Sequence, residues 1–122
     1  MPPLTQLTAI TLDCPDPQAL AAFYRRATGW RPHERSNEEF AALVREDGLV
    51  LGFQRVEDHR PPRWPDPSAP QQSHFDFTAG DLDEAEALLL EWGAGRPDAQ
   101  PGGDRWRVFT DPAGHPFCVI AD

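Results

Sequence analysis

An internal repeat constrains this chain more than any other feature. Asp16-Pro17 opens a run with helical periodicity that closes at Gly29-Trp30, and Asp81-Leu82 opens another that closes at Gly93-Ala94-Gly95. The two openings stand 65 positions apart (81 − 16) in a chain of 122 residues, so each half is one copy of the same unit. Asp16 and Asp81 suit the N-cap, where a short acceptor side chain satisfies an unpaired backbone N–H, and Pro17 suits the first helical position. Leu20, Phe23, Tyr24 and Ala27 form the apolar stripe of the first helix; Leu82, Ala85, Leu88, Leu89 and Trp92 form that of the second. Glycine follows both stripes, where the chain must turn left-handed to leave a helix.

Alternation supplies the strands. In the first unit they are predicted at Thr8 to Cys14, Phe40 to Arg45 and Leu49 to Val56, with Asp47-Gly48 as a hairpin turn. Those of the second are predicted at Ser73 to Thr78, Trp106 to Thr110 and Phe117 to Ala121, the last two joined by the turn Asp111-Pro112-Ala113-Gly114. Short strands around Trp30–His33 and Arg96 would complete two βαβββ units. The fold class expected is α+β: two repeated βαβββ units forming an open, barrel-like mixed sheet around a groove, with the helices outside. One domain, 1–122, is expected, with unit 1 at about 5–57, a proline-rich linker at about 58–72 and unit 2 at about 73–122.

Period-two alternation also separates the faces. Ile10, Leu12 and Cys14 share one side of the first strand, and Phe75 and Phe77 share one side of the fifth. These apolar sides need covering by the helices. The opposite sides, which carry Thr11 and Asp13 or His74, Asp76 and Thr78, are left to line the groove.

Composition narrows the function classes. A net charge of −9 would repel a sugar–phosphate backbone, so no nucleic-acid partner is expected. No apolar stretch approaches the roughly 18 residues needed to span a bilayer, no basic amphipathic helix suits a membrane surface, and Met1-Pro2-Pro3-Leu4-Thr5 is no secretory signal. The two cysteines, Cys14 and Cys118, are isolated in apolar strands, as befits buried thiols in a reducing compartment. A cytoplasmic protein is expected. Fourteen prolines, clustered at 61–70 and 97–101, mark irregular loops.

The segments "LDCPDPQALAAFYRRATGW", "LGFQRV", "PPRWPDP", "QQSHFDF" and "DPAGHPFCVIAD" together resemble the vicinal oxygen chelate superfamily (glyoxalases, bleomycin-resistance proteins and extradiol dioxygenases), and among them its small glyoxalase-like members. The resemblance spans nearly the whole chain. It implies paired βαβββ units around a cavity, frequent homodimers and, in the enzymes, a divalent metal held by His, Gln and Glu at four inward strand positions. Carried over residue by residue, those positions fall on Ala9, Gly52, His74 and Cys118. Ala9 and Gly52 have no donor; Gln54, two residues beyond Gly52 on the same face, is the available substitute. No standard metal site is therefore expected, and no cofactor. His74 and Gln54 are the candidates if a divalent metal does bind.

His74 is the best catalytic candidate, as a metal ligand, a general base or a hydrogen-bonding wall residue. Asp76 can fix its tautomer. Cys118 has no cation beside it in sequence, so inert packing is the simpler reading. Trp64, held among prolines, is either a wall over an apolar ligand or a pin for its loop. His115 belongs to turn chemistry, and Arg60, Arg63, Arg105 and Arg107 to solvated or paired charge. The ligand-binding set expected is His74, Asp76, Gln54, Trp64 and Cys118. The leading expectation is a homodimeric small-molecule-binding protein that takes an apolar or aromatic compound. The alternatives are a metal-dependent lyase, isomerase or dioxygenase with a non-standard site, and a dimeric scaffold with a vestigial groove.

Overall fold

The first helix, α1 (Pro17–Thr28), starts because the Asp16 carboxylate accepts the N–H of Ala19 at 3.2 Å, and it stops because Gly29 turns left-handed at φ 74°. The second, α2 (Leu82–Glu91), starts the same way, Asp81 accepting the N–H of Glu84 at 3.0 Å, and ends at Trp92 before Gly93 at φ 108°. These features belong to a computed structural model that describes residues 2–122. The chain folds as two compact units, Met1–His59 and Arg60–Asp122. The fold is α+β, as expected, with the strands in two small mixed sheets, one in each unit.

In the first unit the strands are β1 (Ala9–Cys14), β2 (Arg31–Pro32), β3 (Phe40–Val44) and β4 (Val50–Arg55), in the order β1-β4-β3-β2. β1 runs parallel to β4, with Ile10 beside Leu51 and Leu12 beside Phe53, while β3 runs antiparallel to β4, with Ala41 beside Phe53. One face is thus apolar, and α1 covers it: Leu20, Phe23 and Tyr24 are buried, and the Tyr24 ring stacks on Phe53 with centroids 5.6 Å apart. Burial of these three side chains, each contributing about 1.5–3 kcal/mol, is what holds the helix down. Ala27, expected in the stripe, is exposed instead. Asp47-Gly48 makes the hairpin turn as expected, Gly48 donating its N–H to the Arg45 carbonyl at φ 96°.

The second unit holds β5 (Phe75–Ala79), β6 (Trp106–Thr110) and β7 (Pro116–Ala121), in the order β5-β7-β6. β5 is parallel to β7, with Phe75 beside Phe117 and Asp76 beside Cys118. Phe77, Phe109 and Phe117 form a ring cluster on one face, with neighbouring centroids 5.8 to 6.0 Å apart. Arg107 on that face pairs with Asp83 of α2 at 2.7 Å, so α2 lies on the same side. Only Leu89 of its stripe is buried; Leu88, expected inward, is 38% exposed. Trp92, expected in the apolar stripe, is only half-buried because it sits where the helix is already ending.

A full strand around Arg96 does not form. A single bridge, Gly95 to Thr110, stands in its place, and the Gln100 side chain takes over farther along. Gln100 accepts the Val108 N–H at 2.9 Å and donates to the Val108 carbonyl at 2.8 Å, so an amide side chain pairs the outer edge of β6.

Candidate functional site

The parallel pairing of β5 and β7 creates the site. Residues opposite one another in a sheet share a face, so Asp76 and Cys118 point the same way, and His74, two residues before Asp76, joins them. The assigned strand begins at Phe75, so His74 stands one residue before it and not within it, contrary to expectation. The alternation holds nonetheless: His74, Asp76 and Thr78 are exposed, and Phe75 and Phe77 turn to the ring cluster.

His74 Nε2 lies 3.3 Å from Asp76 Oδ1, with side chains 39% and 52% exposed. Cys118 beside them is buried, and one ligand atom from each of the three residues falls within 4.8 Å of the others. Burial pushes the Cys118 thiol up to about 11, and the Asp76 carboxylate adds to the shift by its charge and as a hydrogen-bond acceptor. Without a metal this thiol is protonated at neutral pH and is no nucleophile. Both cysteines are buried and unbridged, as expected.

The repeat allows a direct comparison within the chain. With Asp16 and Asp81 aligned, His74 corresponds to Ala9 and Asp76 to Thr11; Cys118, beside Asp76, corresponds to Gly52, beside Thr11. The first unit therefore offers a methyl, a hydroxyl and nothing at the same three places. A Cβ on Gly52 would lie 2.7 Å from Cζ of Phe40 and 3.1 Å from Oγ1 of Thr11, so the ring of Phe40 fills that space. Gln54 is exposed on the same face of β4, in register with Asp13 and Phe40.

Trp64 is half-buried in a loop that closes on itself. Arg63 donates its N–H to the Ala69 carbonyl, and the Asp66 carboxylate accepts both the N–H and the hydroxyl of Ser68. His115 is bound up in turn chemistry, as expected. What the sequence did not suggest is the depth of its partner: Asp111 is buried, and its carboxylate accepts the N–H groups of Ala113 and His115 and contacts His115 Nδ1 at 2.8 Å. The spacing Asp-x-x-x-His around a glycine turn was the available signal. Also unforeseen is a cleft of about 550 Å³ in the first unit between α1 and β3, lined by Gln18, Ala22, Arg25, Arg26, Ser36 and Ala42 among others.

Comparison with known proteins decides the family. The sequence matches the glyoxalase-like domain family over residues 9–120. This chain is a glyoxalase-like domain. It thereby belongs to the vicinal oxygen chelate superfamily, as the resemblance implied. A glyoxalase/bleomycin resistance protein/dioxygenase family enzyme from Burkholderia phytofirmans superposes with a TM-score of 0.74 at 16% identity, covering 96% of this domain and 98% of that chain. A glyoxalase-related enzyme from Fulvimarina pelagi gives 0.68 at 25% identity, covering 98% and 89%. The E126Q form of the fosfomycin resistance protein FosX from Listeria monocytogenes, in complex with Mn(II) and 1S,2S-dihydroxypropylphosphonic acid, gives 0.73 at 19%, covering 97% and 90%. No functionally curated protein matches this glyoxalase-like domain. No helix among its described residues is long and apolar enough to cross a membrane.

The residues do not fit the superfamily's four-position metal site. Ala9 and Gly52 supply no donor, and the space in front of Gly52 is taken by Phe40. The expectation that no metal binds is a different matter, because His74, Asp76 and Cys118 do form a group able to hold one. Gln54, the other candidate ligand, is not in that group.

Proposed function

We propose that this glyoxalase-like domain is a small-molecule-binding protein whose ligand is an apolar or aromatic compound anchored at His74 and Asp76. The observation that carries the reading is the exposed His74–Asp76 pair, 3.3 Å apart, on the sheet face turned away from the phenylalanine cluster. A half-exposed imidazole beside a carboxylate can donate to a ligand's oxygen or accept from its hydroxyl, which fixes orientation; apolar surface supplies the affinity. Trp64 is the proposed wall for the ring. Cys118 is the neutral floor beneath the pair, since its protonated thiol adds no charge. The reading also includes a cytoplasmic location and a homodimer, which would bring two such sites together in one particle.

The test is a panel of aromatic compounds bearing carbonyl or hydroxyl groups, scored by amide chemical-shift changes in labelled protein. Expected hits move resonances of residues 74–78 and 116–120, and weaken several-fold in His74→Ala and in Trp64→Ala. Hits that map instead to the α1–β3 cleft of the first unit, or that ignore both substitutions, would sink the proposal.

A further inference from the structure

We infer that the cleft between α1 and β3 binds a small organic carboxylate with a compact apolar body, the carboxylate being taken by Arg25 and Arg26. The cleft, of about 550 Å³, falls within the roughly 300–1,000 Å³ usual for small-molecule sites, and all its lining residues belong to the first unit. It is separate from the sheet face that carries Gly52, Phe40 and Gln54. Ala41 and Leu43, in its wall, stand in register with Phe53 and Leu51, and Phe53 stacks on the Tyr24 ring of α1. Both therefore belong to the helix-covered side of the sheet. The inference goes beyond the reading centred on His74 and Asp76, which lie in the other unit.

Small side chains and fixed hydrogen bonds make the hollow. Gln18, Ala22 and Arg25 recur at the i, i+4, i+7 spacing of one helix flank, and alanine at 21, 22 and 41 leaves room that a larger side chain would fill. Gln18 Nε2 donates to the Asn37 carbonyl at 2.7 Å, which ties α1 to the loop before β3. Ser36 Oγ donates to the His33 carbonyl at 2.9 Å and accepts the Ala42 N–H at 3.1 Å. Those contacts set the shape, and the charge comes from the two arginines. Arg45, Arg55, Arg96 and Arg107 each pair with a carboxylate, whereas no ion pair engages Arg25 or Arg26 among the described residues. Both stand in the last turn of α1, where the helix dipole favours a cation and supports it without an acidic partner. A guanidinium offers a planar fork that matches a carboxylate with two parallel hydrogen bonds. The chain's net charge of −9 repels a dianion more than a monoanion, and the alanine-lined wall suits an apolar body better than a second charged group.

The probe is cyclohexanecarboxylate, with cyclohexanecarboxamide as its neutral twin, each titrated into labelled protein at low ionic strength and followed by amide chemical shifts. The acid is expected to move resonances of residues 18–26 and 41–43 to saturation, and added salt to weaken it. The amide should leave those resonances in place. Arg25→Gln and Arg26→Gln should each weaken the acid by about fivefold or more. Arg105→Gln removes the same charge from an exposed position of the second unit, and should change the affinity by less than about twofold. The reading at His74 and Asp76 is scored on residues 74–78 and 116–120 with aromatic compounds, so either can fail alone. Shifts in the wild-type protein that do not saturate, equal binding of the amide, or an equal loss in Arg105→Gln would overturn the inference. The comparison of acid with amide needs no variant, so a substitution that disturbs folding does not protect it.

Discussion

The ring of Phe40 occupies the place where a side chain on Gly52 would stand: a Cβ there would come within 2.7 Å of the ring's Cζ and 3.0 Å of its Cε2. This contact closes the first unit's counterpart of the position held by Cys118 in the second. Gly52→Ala is expected to cost about 1–3 kcal/mol, the usual range for overfilling a packed site. Phe40→Ala should relieve that clash, so the double variant should be less destabilised than the sum of the singles by about 1 kcal/mol. Urea unfolding of the four proteins measures it. Strict additivity would mean the ring and the new methyl do not compete.

Asp111 makes the second prediction. Its buried carboxylate accepts two backbone N–H groups and contacts the His115 imidazole, which locks the turn that feeds β7. Removing it strands those donors, and Asp111→Ala should cost about 2–4 kcal/mol. His115→Ala leaves the two backbone bonds in place and should cost less. Equal losses would show that the imidazole contact, not the carboxylate, holds the turn.

A third prediction concerns pH in chelator-treated protein. The Cys118 thiol is pushed up to about 11, chiefly by burial and then by Asp76. A thiol in the unfolded chain loses its proton near 8.5. Between those values the native state holds a proton that the unfolded state has released, so stability falls as pH rises through this window. Below it the contribution is constant. Asp76→Asn removes the neighbouring charge, lowers the thiol's pKa and should narrow the fall. Stability curves for wild type and Asp76→Asn from pH 8 to pH 11 that superpose would contradict this.

Ring positions separate core from loop. Phe117 is buried within the aromatic cluster, and Phe117→Ala should cost about 3–5 kcal/mol. Phe75, expected from the sequence to be a core ring, is only half-buried and should cost about half as much. Trp64→Ala should leave the melting temperature nearly unchanged, since its loop is closed by backbone and Asp66 hydrogen bonds. A large drop for Trp64→Ala would favour the pin over the wall.

Features set by local chemistry were legible in the sequence. Asp16 with Pro17 and Asp81 each fix a helix start through one hydrogen bond to a residue three positions on, so both caps could be read from the sequence alone. Asp47-Gly48 and the alternation through Phe75 and Phe77 are equally local. What could not be read depends on pairing between distant strands. Asp76 meets Cys118 across a sequence separation of 42 (118 − 76), and no periodicity within either strand specifies that rung. The carry-over from the family reached His74 and Cys118 but treated Asp76 only as the imidazole's partner. Leu88 fits the helical stripe by spacing, yet is 38% exposed, while Leu89 beside it is buried. Gln100 was hidden for another reason: it lies in a proline- and glycine-rich loop, where nothing in the sequence marks an amide that will stand in for backbone.

That amide has a consequence for assembly. A bare strand edge is a template on which any other extended chain can crystallise, its own copies included. At Val108 both the N–H and the carbonyl are already taken by one glutamine, and the Gly95 bridge occupies the edge near Thr110. The sheet is thereby given a selvage, like the finished border that keeps a cloth from being knitted onwards. Copies of this chain that associate must do so by some surface other than the outer margin of β6, and a Gln100→Ala protein would reopen that margin to unscheduled fibre growth.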